Sequence, residues 1–242
     1  MLTLGFFLVA LIYATVGFGG GSSYLALLAL AKVPYQHIPQ ISLICNLLVV
    51  TGGCWHYFTK GHFRKTLVLP LIAGSIPLAF IGGLYPITQQ VFFILLITSL
   101  LLAGARLLFT NQQNFQTVET PKSWILFFVG AVLGLLSGLV GLGGGIFLAP
   151  IMLNLRWAKP KEVAAVASAF IFLNSSAGLA GQILKVNSVQ VLNYWPLFVV
   201  VIIGGQIGSY LGAHSKFPQA WIQRLTALLI ILIAARLLFS LF

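Results

Sequence analysis

The sequence predicts an all-α protein that crosses a membrane several times and is built from two similar halves. Hydrophobic residues make up 60% of the 242-residue chain, and charged residues only 6%. Apolar runs of about 20 residues recur along it, and each is long enough to cross the hydrocarbon core of a bilayer as a helix. A glycine cluster interrupts an apolar run twice, as VGFGGG at 16–21 and as VGLGGG at 140–145. These features indicate a polytopic membrane protein.

The helical segments follow from the apolar runs and from the residues that stop them. The first half, residues 1–110, opens with a helix at about 2–16, a break, and a short piece that ends near 31; longer spans follow near 37–58, 66–85 and 88–109. Residues 111–121 are the only extended polar stretch and form a linker. The second half, residues 122–242, repeats the order with 122–140, a break, 146–156, and spans near 161–184, 190–213 and 218–241. Pro160 and Pro218 stand where the first turn of a helix tolerates proline.

The glycine clusters are predicted to break their helices, because glycine lacks a Cβ and loses the most entropy when it is held helical. Within lipid, a break frees backbone groups that need partners from protein or from a wet cavity. Two breaks at corresponding places in two halves therefore point to a binding site at the interface of a repeat.

The similarity of the halves extends beyond the glycines. Between the halves, matching residues are 124 to 130 positions apart. The matching pairs are VGFGGG with VGLGGG, Asn46 with Asn174, Leu69–Leu71 with Trp195–Leu197, and Ala105–Phe109 with Ala235–Phe239. Four matches in order at a nearly constant separation indicate an internal duplication.

The basic residues decide between two topologies. If each glycine-broken segment crosses the membrane, the 13 Lys and Arg residues divide 7 against 6. If each broken segment enters and returns as a re-entrant hairpin, they divide 10 against 3, as the positive-inside rule expects. The larger set is Lys60, Arg64, Lys65, Arg106, Lys122, Arg156, Lys159, Lys161, Lys216 and Arg224. We therefore expect inverted halves, both termini outside, and the linker in the cytoplasm.

With the glycine motifs, the four-segment halves and the polar linker in place, the chain resembles the TauE/SafE family of membrane permeases over almost all of residues 1–242. The motifs that carry the resemblance are Val16–Gly21 with Ser22 and Ser23, and Val140–Gly145 with Ile146, Phe147 and Pro150. The resemblance implies a multi-pass transporter of the bacterial or archaeal cytoplasmic membrane. It also implies sulfur-containing anions such as sulfite or sulfoacetate as the substrate class.

The candidate substrate site consists of the two breaks. Helix N-termini offer unpaired N–H groups and a partial positive charge, so two of them pointing to the bilayer centre favour an anion. The candidate residues are Gly19, Gly20, Gly21, Ser22, Ser23, Gly143, Gly144 and Gly145. The alternative is that the glycines serve only close helix packing.

Two asparagines and one histidine complete the set of candidates. Asn46 and Asn174 fall near the middle of their spans, where an amide needs a partner, so each either binds substrate, holds the broken backbone, or bonds a neighbouring helix. Serines of the same spans, such as Ser42 and Ser168, are expected to bond their own backbone. His56 is the candidate for proton sensing, although it falls near a span end.

The composition also excludes several functions. The chain has only two acidic residues, Glu119 and Glu162, so no carboxylate relay or carboxylate-bound sodium is expected within a span. Cys45 and Cys54 have no metal-ligand spacing, and no catalytic pattern is present, so neither a cofactor, a metal nor an enzyme activity is predicted. The net charge of +11 is assigned to lipid headgroups and topology rather than to nucleic acid. A secondary transporter of a small anion is the leading hypothesis; an anion channel and a membrane scaffold are the alternatives, and a homodimer is left open.

Overall fold

The computed structural model describes residues 2–108, 118–185 and 189–214, with the single residues Leu228, Ile231 and Ala235 beyond them. Over these ranges the chain forms α-helices and no β-strand. The helices are α1 (Leu2–Ala14), α2 (Gly21–Leu30), α3 (Ile38–Thr59), α4 (Lys65–Leu84), α5 (Gln89–Leu108), α6 (Ser123–Val140), α7 (Gly145–Asn154), α8 (Pro160–Lys185) and α9 (Trp195–His214).

Five of the described helical stretches are long and apolar enough to cross a membrane: α3, α4, α6, α8 and Gln190–His214. The polytopic all-α prediction is confirmed for the described ranges, and most predicted boundaries lie within two residues of the observed ones. The predicted span 190–213 differs at its start, because Val189–Tyr194 is a 3₁₀ helix and α9 begins only at Trp195, just before Pro196. The predicted span 218–241 and most of the linker lie outside the described residues.

The two halves are intertwined rather than side by side. Helix α9 runs parallel to α1, and a Cβ added at Gly208 would collide with the Leu11 carbonyl oxygen. Helix α4 runs parallel to α6 in the same way, with Gly82 against the Leu135 carbonyl oxygen. The first helix of each half thus packs on a helix of the other half, through glycines that let the backbones touch.

The bundle has two ends of different charge. At the first, here called the basic end, Arg64 Nη1 lies 3.3 Å from the Trp157 carbonyl oxygen, and Lys161 Nζ lies 3.4 Å from that of Ala213. At the opposite end, His37 Nε2 lies 2.9 Å from Gln190 Oε1, and Lys185 Nζ lies 3.4 Å from the Tyr85 carbonyl oxygen. The basic end gathers the described basic residues Lys60, Arg64, Lys65, Lys122, Arg156, Lys159 and Lys161, whereas the opposite end has Lys32 and Lys185.

Both glycine clusters break their helices, as predicted, and the chain folds back after each break. In residues 2–30, here called hairpin 1, the rings of Phe6 and Tyr24 stack 4.6 Å apart. A Cβ at Gly5 would lie 3.4 Å from Leu27 Cδ1, so the start of α1 is beside the end of α2. In residues 123–154, hairpin 2, a Cβ at Gly144 would lie 3.5 Å from the Leu133 carbonyl oxygen. Neither broken segment continues straight on.

Each hairpin reaches deep into the bundle from its own end. The Tyr57 hydroxyl, near the basic end of α3, donates a 3.0 Å hydrogen bond to the carbonyl of Thr15 at the tip of hairpin 1. At the tip of hairpin 2, a Cβ at Gly141 would lie 2.7 Å from the Cα of Pro39, at the opposite end of α3. The two tips therefore pass each other in the interior.

Candidate functional site between the two helix breaks

The breaks depend on glycines with a left-handed backbone. Gly20 and Gly144 immediately precede α2 and α7, with φ values of 84° and 78°. L-residues are strained in this conformation. A Cβ would in addition lie 2.9 Å from Val9 Cγ1 at Gly20, and 2.8 Å from the Phe170 ring at Gly144. Backbone conformation and lack of space therefore both require glycine here.

The N-termini of α2 and α7 converge in the interior. A Cβ at Gly21, the first residue of α2, would lie 2.7 Å from the Leu142 carbonyl oxygen of the other break. The side chain of Ile171 touches both breaks, at Gly19 and at Gly145. The N–H groups of the first turns of two helices thus face one region, which is the arrangement that favours an anion.

Asn46 lies between the two breaks. Its amide is in contact with Gly19 and Gly21 of the first break and with Gly143 of the second, so a Cβ at any of the three would collide with it. The residue is completely buried, and neither Oδ1 nor Nδ2 has a hydrogen-bond partner among the described residues. Such an amide normally costs free energy unless something pairs with it.

Two further hydroxyl groups border this region. Ser22 is buried on α2, and its Oγ has no partner among the residues the structure describes. Ser175 Oγ is equally unpaired and would lie 3.2 Å from a Cβ at Gly143. Ser23 differs, because its Oγ is hydrogen-bonded to the Tyr13 hydroxyl at 2.7 Å, on the side of α1. Ser22 also lies close enough to the Tyr13 hydroxyl to influence it, but it makes no hydrogen bond of ordinary length among the described residues.

Two serines each form a hydrogen bond to the break in the other half of the chain. Ser42 Oγ of the first half lies 2.9 Å from the Gly141 carbonyl oxygen of the second half. Ser168 Oγ of the second half lies 3.1 Å from the Gly17 carbonyl oxygen of the first. From the sequence, these serines are expected to bond only their own helices, and Ser168 indeed also bonds its own Ala164 carbonyl, at 2.9 Å. The only signal in the sequence was that Ser42 and Ser168 are 126 residues apart.

This reciprocal contact favours another register than the one that pairs Asn46 with Asn174. If Ser42 corresponds to Ser168, Asn46 corresponds to Phe172, and Asn174 corresponds to Leu48. Asn174 is completely buried with both amide atoms unpaired. It shares a helix face with Phe170 and Gly178, which contact Gly144 and Gly138 of hairpin 2. The two asparagines thus lie in different surroundings.

His56 lies away from the breaks. Its ring centroid is 5.8 Å from that of Tyr210 and 6.1 Å from that of His214, at the basic end. The predicted proton-sensing residue is therefore part of an aromatic cluster between α3 and α9. The cysteines are free thiols, and Cys45 is buried.

Within the described part of the chain, two cavities lie beside the interior. One of about 130 Å³ opens at the opposite end, beside the tip of hairpin 2, and its lining includes Pro39, Leu139, Gln182 and Lys185. The other, of about 360 Å³, lies between α3 and α8 toward the basic end and is lined mainly by apolar groups such as Trp55, Phe58 and Phe172. Lys185 makes the first cavity the more suitable approach for an anion.

Comparisons with known proteins agree over nearly the whole chain. The sequence model of the family described as "Sulfite exporter TauE/SafE" matches residues 2–237. A probable membrane transporter protein, y4hK of Sinorhizobium fredii, is 28% identical over 98% of this chain and 97% of its own length. A second, YunE of Bacillus subtilis, is 24% identical over 93% of this chain and 92% of its own. No solved structure matches the chain.

Proposed function

This chain belongs to the TauE/SafE sulfite exporter family of membrane transporters, and from that premise we propose that it is a secondary transporter for a small sulfur-containing oxyanion or organosulfonate. Its cargo would bind between the helix breaks and cross the membrane by alternating access. The family description supports the substrate class, and the chemistry of the breaks supports the negative charge.

One observation carries the proposal: the N-termini of α2 and α7 converge on the unpaired amide of Asn46. Helix N-termini provide N–H donors and a partial positive charge, and the Asn46 Nδ2 adds two more donor hydrogens. The glycines let oxygen atoms approach the backbone closely. An oxyanion with several equivalent oxygens can use all of these donors together.

A close backbone contact lies on each side of the centre, which favours a carrier over an open channel. Toward the basic end, Gly17 packs against Ala164, with less than 3 Å between an added Cβ and the Ala164 backbone. Toward the opposite end, Gly141 packs against Pro39. We infer that release to either side requires one hairpin to move while the other stays in place, with the halves 1–110 and 122–242 acting as inverted repeats around the linker 111–121.

The orientation follows from charge. Of the basic residues whose side chains the structure describes, seven lie at the basic end and two at the opposite end, so we place the basic end in the cytoplasm and the chain in the cytoplasmic membrane. Re-entrant hairpins give both termini an outside position. In this orientation the cavity beside Lys185 opens outward, and Arg64, Lys65 and their neighbours face the cytoplasmic pool of anions.

The test is flux through the purified chain in proteoliposomes. Radiolabelled sulfite uptake should saturate, should be stimulated by unlabelled sulfite inside the vesicles, and should be inhibited by sulfoacetate, thiosulfate or sulfate in proportion to their affinities. Comparing two pH values separates the charge states of sulfite. Asn46→Leu should raise the apparent KM, whereas Thr98→Val, on α5 with a hydroxyl that bonds only its own helix, should not.

Two outcomes would contradict the proposal. Conductance far above the turnover of a carrier, without stimulation from the inner face, would identify an anion channel. No flux of any of these anions above that of empty vesicles, with the chain folded and inserted, would leave a membrane scaffold as the better explanation.

A further inference from the structure

We propose that a second site, between α4, α6 and α8, binds a monovalent cation such as Na⁺. The three helices run in the same direction and meet beside the carbonyl oxygen of Ala79. A Cβ added at Gly138 would collide with this oxygen, and a Cβ added at Gly178 would lie 3.7 Å from the same oxygen. The Cα of Gly138 would lie 3.4 Å from that same Cβ of Gly178. Glycine thus brings three backbones together at this junction.

Each of the three helices has a polar side chain within about one turn of the junction. Ser75 precedes Ala79 by four residues, Asn174 precedes Gly178 by four, and Ser137 directly precedes Gly138. All three residues are completely buried. Neither hydroxyl, and neither atom of the Asn174 amide, has a hydrogen-bond partner among the described residues. Three unpaired oxygen atoms, each on a residue within about one turn of the same buried junction, are a costly arrangement unless a ligand uses them.

The other half provides an internal comparison, because it builds the matching junction without these groups. Ser42 and Ser168 are 126 residues apart, and at this separation Asn174 corresponds to Leu48 and Ser75 corresponds to Val201. Gly20 and Gly144 are 124 residues apart, which is the separation that applies to α1 and α6. Ser137 corresponds to Tyr13, whose hydroxyl is already bonded to Ser23. The other half has polar side chains of its own near this place, because Gln206 and Ser209 contact Gly52, the counterpart of Gly178, and the Ser209 hydroxyl bonds the Gln206 carbonyl at 3.1 Å. The groups at the junction of α4, α6 and α8 differ in being buried with no hydrogen-bond partner among the described residues, which indicates a ligand.

The surroundings favour a cation over an anion. Ser137 lies in the last turn of α6, which ends at Val140, and the C-terminal end of a helix has a partial negative charge. Hydroxyl and amide oxygens bind small hard cations, and interrupted helices of transporters present their C-terminal ends to Na⁺. The described basic side chains lie at the two ends of the bundle rather than here. The central site has the reverse polarity, since helix N-termini face it.

The two sites are close enough to influence each other. Asn174 and Ser175 are consecutive on α8, and Ser175 faces Gly143 of the second break. A cation at the junction would attract an anion between the breaks through an interior of low dielectric. This coupling step rests on the proposed transport function. Binding of the cation does not, so it can be measured with no sulfur anion present.

The direct test is thermal unfolding of the full chain in detergent, with NaCl against choline chloride at equal ionic strength and no sulfur anion. Na⁺ should raise the midpoint by about 2–4 °C, because a ligand that binds only the folded state stabilises it. Ser75→Val and Asn174→Leu, which install the residues of the other half, should abolish this shift. Ser75→Ala removes only the hydroxyl, so it tests the same residue even if the larger valine disturbs packing.

The matched control is Ser176→Ala. Ser176 is two residues from Asn174 on the same helix, but it is only half-buried and its hydroxyl bonds the Phe172 carbonyl at 2.8 Å. It should keep the full sodium shift. An equal midpoint in NaCl and choline chloride for the unmodified protein would overturn the inference. So would a shift that persists in both Ser75→Ala and Asn174→Leu.

The transport arm measures coupling. In proteoliposomes, external Na⁺ should lower the apparent KM for sulfite by about fivefold or more, and Asn174→Leu should remove this dependence. If Asn174→Leu instead weakens sulfite binding equally with and without Na⁺, the junction is part of the anion site and the cation assignment is wrong. A sodium shift without any sulfite flux would leave the cation site standing and reject only the proposed substrate.

Discussion

Ser42 and Gly141 belong to different halves of the chain, yet the hydroxyl of the first donates a 2.9 Å hydrogen bond to the carbonyl of the second. Gly141 is the residue at which α6 has just ended, so its carbonyl has no helical partner. Ser168 serves the Gly17 carbonyl in the same way. Each break is therefore stabilised by a serine on a long helix of the other half. Contacts between the halves thus offset the free energy that is lost when a helix is interrupted.

Removing either hydroxyl should destabilise the protein. Ser42→Ala and Ser168→Ala each leave a buried carbonyl oxygen without its donor, at a cost of about 1–3 kcal/mol in the free energy of unfolding. Thr98→Ala, an exposed position whose hydroxyl bonds its own helix at 2.7 Å, should change stability by less than about 0.5 kcal/mol. Denaturant unfolding in detergent measures all three. Equal stability of Ser42→Ala and the unmodified chain would contradict a supporting role.

Side chains at the breaks should abolish transport without preventing insertion. Gly20→Val and Gly144→Val place a branched side chain where φ is positive. The new Cβ would lie 2.9 Å from Val9 at position 20 and 2.8 Å from Phe170 at position 144. Gly61→Val is the matched control, because Gly61 also has a positive φ, of 73°, but a Cβ there meets nothing within 4 Å. It should pay only the backbone strain of about 1–2 kcal/mol. Flux and membrane content are measured together, and normal flux in both break variants would reject the site.

A negative charge between the breaks should repel the substrate. Asn46→Asp preserves shape, but its ionised carboxylate would oppose an anion held by the same donors. Transport should recover in acid, where protonation of the carboxylate removes the negative charge. A permanently ionised sulfonate is the appropriate probe, since its own charge does not change. Asn154→Asp, at the end of α7 near the basic end, should transport normally at every pH.

Stability should decrease in mild acid, in part through His62. Burial and the nearby charge of Lys161 lower the pKa of His62 below its ordinary value of 6.5, while Glu162 opposes this effect. The unfolded chain then binds more protons than the folded one, so stability is lost as the pH falls through 6.5 toward the lowered pKa. His62→Gln should reduce the fall in melting temperature over this range. An identical pH profile in the variant would assign the acid sensitivity to other groups.

Cysteine labelling checks the orientation. In a background with Cys45 and Cys54 replaced by alanine, Gly61→Cys and Gln113→Cys should react from the cytoplasmic side. Ile87→Cys, at the opposite end, should react with an impermeant reagent from outside. Labelling of position 61 only from outside would reverse the assignment of the basic end.

The glycine breaks could be predicted from the sequence because their cause is local: three adjacent residues without side chains strongly disfavour a helix. Asn46 could be proposed for a similar reason, since an amide in the middle of a span needs a partner. The fold-back of α1 on α2 was favoured by counting charges, and the contact between Gly5 and Leu27 agrees with it.

The roles of Ser42 and Ser168 could not be predicted, because a serine in such a helix usually bonds its own backbone, and only the packing of the halves brings a foreign carbonyl within reach. The same limit applies to the predicted pairing of Asn46 with Asn174. The sequence match pairs two residues that are 128 positions apart, whereas the contacts of α3 and α8 favour a separation of 126 between corresponding residues. A shift of two positions places a side chain on another face of its helix.

The exchange of helices between the halves has a consequence for how the protein is made. Helix α1 ends at Ala14, but its partner α9 begins only at Trp195. At a synthesis rate of about 5–20 residues per second, α1 waits roughly 10–40 s before the surface it packs against has left the ribosome. Its glycine-opened backbone must meanwhile be sheltered by the insertion machinery or by lipid headgroups, so a chain interrupted after the first half should be a substrate for membrane proteases rather than a stable fragment.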